Sequence, residues 1–216
     1  MFDLSIIGKI MIWVIPVLFA ITVHEVAHGW VASHLGDQTA KSMGRLTLNP
    51  IRHIDPIGTV LLPVLLYFLG GFIFGWAKPV PVNWKNLGHP RRDMALVAAA
   101  GPGANLVMLV LWALLAKIVT LFHQNPVWLT EFVWTMCIWG IRINIVLMVL
   151  NLFPLLPLDG GRIMTSLLPA ELALVYSRLE RYGLLILILL IATGLLGKIL
   201  WPVISAMEGL VYVLVQ

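Results

Sequence analysis

Residues 15–32 read IPVLFAITVHEVAHGWVA, an apolar run with His24, Glu25 and His28 set in its middle. A charge at the centre of a bilayer costs at least about 2.5 kcal/mol and is normally paired or functional. Whether these eighteen residues lie in lipid therefore decides both the fold and the meaning of Glu25. Composition answers the first part. Of 216 residues, 60% are hydrophobic and only 11% charged, whereas soluble domains carry about 25% charge.

The apolar runs are long enough to span a bilayer, which takes roughly 18 or more residues. The first covers about 4–35. Others lie at about 93–122, 128–153 and 183–204, with a shorter block at 57–75 that holds Pro63 and Gly70-Gly71. Residues 106–122 contain one charge, Lys117, and 183–197 contain none. The expected fold is an all-α polytopic membrane protein with about four full transmembrane helices. Neither an internal repeat nor a low-complexity tract interrupts it, so 1–216 is read as one intramembrane domain.

Other classes fall away. The lone cysteine, Cys137, cannot form an internal disulfide or a multi-thiolate metal site and reads as a small buried hydrophobe. The net charge of +4 comes without a basic patch interleaved with aromatics, so no nucleic-acid partner is expected. Residues 1–16 lack the basic start and small-residue cleavage site of a signal peptide, and the first span is read as retained.

Ten of the 14 basic residues fall in three loops, 36–56, 76–92 and 162–182, while 123–130 has no Lys or Arg. The positive-inside rule puts those three loops on the cytoplasmic side. Block 57–75 then begins and ends inside. Either it is a re-entrant hairpin broken at Gly70-Gly71, tolerated where protein buries the backbone, or it crosses fully and one basic loop lies outside.

His24 and His28 stand four apart, on one helical face, so both imidazoles can reach one metal ion. Glu25 beside them can take a proton from a water that the metal activates. The alternative is that these residues merely line a polar helix end. Catalytic zinc needs three protein ligands and an open position, so a third donor is required. Most remaining acids lie in loops or at segment ends. Asp159 differs, sitting in NLFPLLPLDGG (151–161), where Pro154 and Pro157 break the helix and Gly160-Gly161 permit a tight turn. Two readings stay open for it: a third ligand, or a capping Asp ahead of Gly-Gly.

Taken together the motifs resemble the site-2 protease family of intramembrane zinc metalloproteases. HEVAH at 24–28, Gly101-Pro102-Gly103-Ala104-Asn105 and NLFPLLPLDGG at 151–161 match that family's three motifs in order. GRLTLNPIRHIDPIGT (44–59) and FGWAKPVPVN (74–83) are similar to its compact bacterial and archaeal branch. No stretch is long or polar enough for the PDZ or CBS domain that many members carry. The resemblance implies one Zn2+ per chain held by His24, His28 and Asp159, with Glu25 as general base. It further implies short strand-like membrane-associated segments and a prokaryotic inner-membrane location, while the basic loops put the active site toward the cytoplasm. The implied substrates are transmembrane segments of other proteins.

Asn105 and Asn151 are amides in apolar helices, where an unpaired amide is costly. They either contact substrate and support the site or bond across helices. His53 is read as a structural or site-proximal loop histidine, and His34, His89 and His123 as solvated ends. Arg142, in mid-helix, is expected to snorkel or to pair inside. Rival functions are a metal transporter or sensor and a non-catalytic helix-binding scaffold. Oligomeric state and the substrate's identity are not written in the sequence.

Overall fold

The computed structural model describes residues 6–61, 65, 77–121 and 127–215. Helix α1 spans Ile6–His34, and its apolar surface all round leaves no strong polar face, as a helix in lipid requires. At 29 residues it is about 44 Å long at 1.5 Å per residue, ample for a bilayer. Gly36, at φ 112°, turns the chain out of α1, and a short α2 (Thr39–Ser42) follows. Two more spanning helices are α3 (Pro90–Leu121) and α4 (Val127–Asn151). Pro90 opens α3, where its missing N–H costs nothing. The buried carboxylate of Asp93 accepts the His89 N–H at 2.7 Å, closing that helix end.

After α4 the chain folds back through 152–158 into α5 (Asp159–Leu167), α6 (Ala170–Ser177), α7 (Glu180–Ala192) and α8 (Leu195–Val215). Four helices, α1, α3, α4 and α8, are long and apolar enough to cross a membrane. The protein is an all-α polytopic membrane protein. Helix α1 packs on α3 and α4, and α8 packs on both α3 and α4. Leu109, Ala116, Cys137, Ile141, Ile145 and Ile204 form the apolar core between α3, α4 and α8.

One expected span is corrected. The run 183–204 is not continuous but divides between α7 and α8. Thr193 bonds its hydroxyl back to Leu189 O (2.8 Å), and Gly194 adopts φ 70° and donates to Ile191 O (2.9 Å). That is a helix-ending arrangement which hydrophobicity alone does not register. The fourth span is therefore Leu195–Val215.

The segments expected to be strand-like form no strand among the described residues. Pro50–His53 makes a 3-10 turn and Pro56–Leu61 a π-helical one. Residues 77–83 run as an irregular strap, meeting the earlier segment through one backbone bond, Lys78 N to His53 O (2.9 Å). Pro50, Pro56, Pro79 and Pro81 remove the N–H donors that a ladder needs. The re-entrant hairpin expected over 57–75 falls almost entirely outside the described residues.

The strap is tied to the end of α1 by Asp37. This fully buried carboxylate accepts Asn83 N (2.7 Å), Asn86 Nδ2 (2.9 Å), Thr39 N (3.1 Å) and the Thr39 hydroxyl. Burial works to raise its pKa, but the bonds from Thr39, Asn83 and Asn86 prevail and hold it below the ordinary aspartate value.

Candidate metal centre

His24 and His28 project from one face of α1 toward the start of α5. Their Nε2 atoms lie 3.0 Å apart, and Asp159 Oδ2 lies 3.2 Å from the first and 3.3 Å from the second. All three donors sit within 4.8 Å of one another, the one such cluster among the described residues. Asp159 is the first residue of α5, and its Oδ2 lies against the two imidazoles.

What surrounds the histidines decides their tautomers. His24 Nδ1 faces Asn105 Oδ1 at 2.7 Å, and His28 Nδ1 faces the Val97 carbonyl at 2.7 Å. Both partners are acceptors. The orientation of the Asn105 amide follows from its own bonds, since Nδ2 donates to the Ala20 carbonyl (3.3 Å) and to Asn144 Oδ1 (3.0 Å). Each Nδ1 thus carries the proton, and each Nε2 presents a lone pair. Asp159 Oδ2, buried and without a hydrogen-bond donor, adds a third. Three lone-pair atoms converging within about 3 Å repel one another unless a metal ion or a proton lies among them. Two imidazoles and a carboxylate, with imidazole N–H groups held from behind, fit zinc.

Small residues make the convergence possible. A Cβ on Gly101 would lie 2.4 Å from His28 Nε2 and 2.6 Å from His24 Nε2, so α3 presents bare backbone to the cluster. Gly160 and Gly161 are helical, contrary to the expected tight turn, and their requirement is closeness. A Cβ there would come within 2.2 Å of Leu152 O and 2.5 Å of Leu156 N. The 152–158 turn can therefore fold directly onto α5 and set Asp159 at its first residue.

Glu25 stands beside the cluster rather than in it. Its Oε2 accepts the Val80 N–H of the strap at 2.8 Å. Of the two asparagines singled out by sequence, the structure brings only Asn105 to the histidines. Asn151 donates to Leu147 O (2.9 Å) on its own helix and, among the described residues, makes no hydrogen bond to the cluster. Asn144, which the sequence reading passed over, is fully buried and completes a chain from His24 through Asn105 to Gly140 O (2.8 Å). The signal was available, since an amide in mid-span needs a partner as much as Asn105 does. His53 is buried, with Nε2 against Thr47 O (2.9 Å), and belongs to the loop beneath the strap.

The sequence profile described as Peptidase family M50 matches residues 112–193. The chain is 40% identical over 195 residues to "Putative zinc metalloprotease YwhC" of Bacillus subtilis, covering 89% of this chain and 85% of that protein. It is 30% identical over 196 residues to "Putative zinc metalloprotease Rip2" of Mycolicibacterium smegmatis, covering 90% and 72%. No solved structure gives a significant match. Similarity of this degree over most of both chains shows that the protein belongs to Peptidase family M50, the site-2 proteases.

Proposed function

We propose that His24, His28 and Asp159 hold one zinc ion and that Glu25 is the general base of an intramembrane endopeptidase. Membership of the family makes the protein a zinc-dependent protease that works in a lipid bilayer on membrane proteins. The residue roles are supported by one observation above all, three mutually facing donor atoms close enough to share one cation. Zinc, when bound, polarises the scissile carbonyl and lowers the pKa of the attacking water.

The chain's own groups do the rest. Asn105 and the Val97 carbonyl keep both imidazoles in the metal-binding tautomer. Glu25 takes the proton from the attacking water and returns it to the leaving amine. Gly101 lets the backbone of α3 lie directly against both imidazoles. The substrate is an unwound peptide within or next to a transmembrane segment, because an intact helix hides its carbonyl carbon. The basic loops favour a cytoplasm-facing site, and the bacterial relatives favour a prokaryotic inner membrane. His24 lies ten residues, about 15 Å, from the inner end of α1.

The test uses purified protein in liposomes with a single-span substrate. Glu25→Gln is expected to keep one zinc per chain and to lose cleavage by about 10³-fold or more, the combined loss of base and leaving-group acid. Asp159→Ala is expected to lose both zinc and cleavage. Cleavage surviving Glu25→Gln, or zinc surviving Asp159→Ala, would remove these roles. Metal flux without cleavage would replace the reading by transport.

A further inference from the structure

Arg45 is 8% exposed, and among the described residues no carboxylate pairs with it. Its guanidinium instead donates from Nη2 to the carbonyls of Lys78 (2.8 Å) and Pro79 (3.4 Å) in the strap, while Nε has no partner. Burying a cation without an anion is costly, so a strap carbonyl is an expensive partner unless the strap's position matters.

The next residue shows why it does. Val80 N–H is the donor to Glu25 Oε2, and the Val80 side chain lies in a notch on α1 at Gly29, where a Cβ would meet Val80 Cγ1 at 2.7 Å. Glu25 and Gly29 are four apart, on one face of α1. The strap therefore grips the face carrying Glu25, while His24 and His28 face Asp159. Pro79 and Pro81 have no N–H, so Val80 is the only donor in that tripeptide. No hydrogen bond to Glu25 Oε1 occurs among the described residues.

We propose that Arg45 is a positioning residue for Glu25: by holding the Lys78 and Pro79 carbonyls it presents Val80 N–H to one carboxylate oxygen, leaving the other aimed at the reacting water. This rests on Glu25 being the base. Arg45 touches neither metal nor substrate and acts only through the strap. A misplacement of about 1 Å in a reacting group can cost about 100-fold in rate.

The experiment measures kcat, KM and zinc content for Arg45→Met, Arg45→Lys, Val80→Pro, Val80→Ala and the double variant Arg45→Met/Val80→Pro, in liposomes with the single-span substrate. Arg45→Met and Val80→Pro are each expected to lower kcat by about 10–100-fold, with KM within about twofold and one zinc retained. Val80→Ala keeps the N–H and is expected to lose at least tenfold less than Val80→Pro. Arg45→Lys, which keeps the charge but not the planar guanidinium and its reach, should fall between wild type and Arg45→Met. The double variant should be no worse than the poorer single, because both break one path. Additive losses, a change confined to KM, or equal effects of Val80→Ala and Val80→Pro would overturn the proposal. Where Arg45→Met fails to fold and loses zinc, Arg45→Lys decides: wild-type kcat in it, with Val80→Pro impaired, would overturn the role of Arg45. Undiminished cleavage by Glu25→Gln would instead sink the underlying reading of the base.

Discussion

Two polar clusters lie within the span helices, and they are built differently. Around the two imidazoles of the proposed metal centre each partner is itself held: His24 on Asn105, Asn105 on Asn144 and Ala20, Asn144 on Gly140, His28 on Val97. The other is the pair Arg142–Glu208, joining α4 to α8 with Nε 3.0 Å from Oε1. That contact is close but misaligned, leaving Glu208 Oε1 without a hydrogen bond. The Arg142 side chain is 40% exposed and lies beside Trp139 and Trp13, in an apolar groove of about 200 Å³. A network that settles tautomers prepares a reaction. A lone ion pair with one loose end ties two helices together.

The contrast can be broken where it is sharpest. Gly101→Ala drives a methyl group to 2.4 Å from His28 Nε2. Zinc affinity is expected to fall by about 100-fold, the upper end of what disturbing a ligand's surroundings costs, with cleavage falling alongside; zinc titration checks it. Wild-type affinity would show that α3 yields and that the close approach is unimportant.

Asn144→Leu comes next. Without its Oδ1 the Asn105 amide loses one of two anchors and can turn its NH2 toward His24, forcing the wrong tautomer. A fall in zinc affinity of about 10–100-fold is expected, although Asn144 is two side chains from the metal. No change would reduce the amide chain to helix packing.

Glu208→Gln tests the other cluster. Stability should drop by about 1 kcal/mol, the scale of polar contacts between membrane helices, or a few degrees in Tm. Zinc content should stay at one and cleavage within about twofold. Lost zinc would mean that the two clusters are coupled after all.

The smallest effect is a pH slope at the strap's anchor. The unfolded Asp37 carboxyl titrates near about 3.9, and the folded one lower. Its contribution is thus complete above the unfolded value and is lost as pH falls through the folded one. Wild-type Tm should decline in acid by more than that of Asp37→Asn, which lacks the contribution at neutral pH as well. Parallel Tm profiles would remove Asp37 from the account.

Much of this was legible from residue order alone. Apolar runs announced the spans because lipid demands an unbroken apolar surface, and α1, α3 and α4 end within a few residues of the expected limits. The four-residue spacing of His24 and His28 put both on one face before any fold was known, since that periodicity is a property of the helix itself. Proline and glycine around Asp159 marked a broken helix end, though spacing alone left its role open.

What remained was a matter of which groups meet across distance. Asn105 reaches His24 over 81 residues of chain and Asn144 joins it, while Asn151, equally polar and nearer Asp159 in sequence, turns back on its own helix. Arg45 meets the strap 33 residues away, and Gly101 matters because His24 and His28 lie against it. Local pattern sets how each helix is built and which face is polar. Packing of α1, α3, α4 and α5 chooses which of those polar faces confront one another, because a buried hydrogen bond forms only with a partner that the tertiary fold brings within about 3 Å.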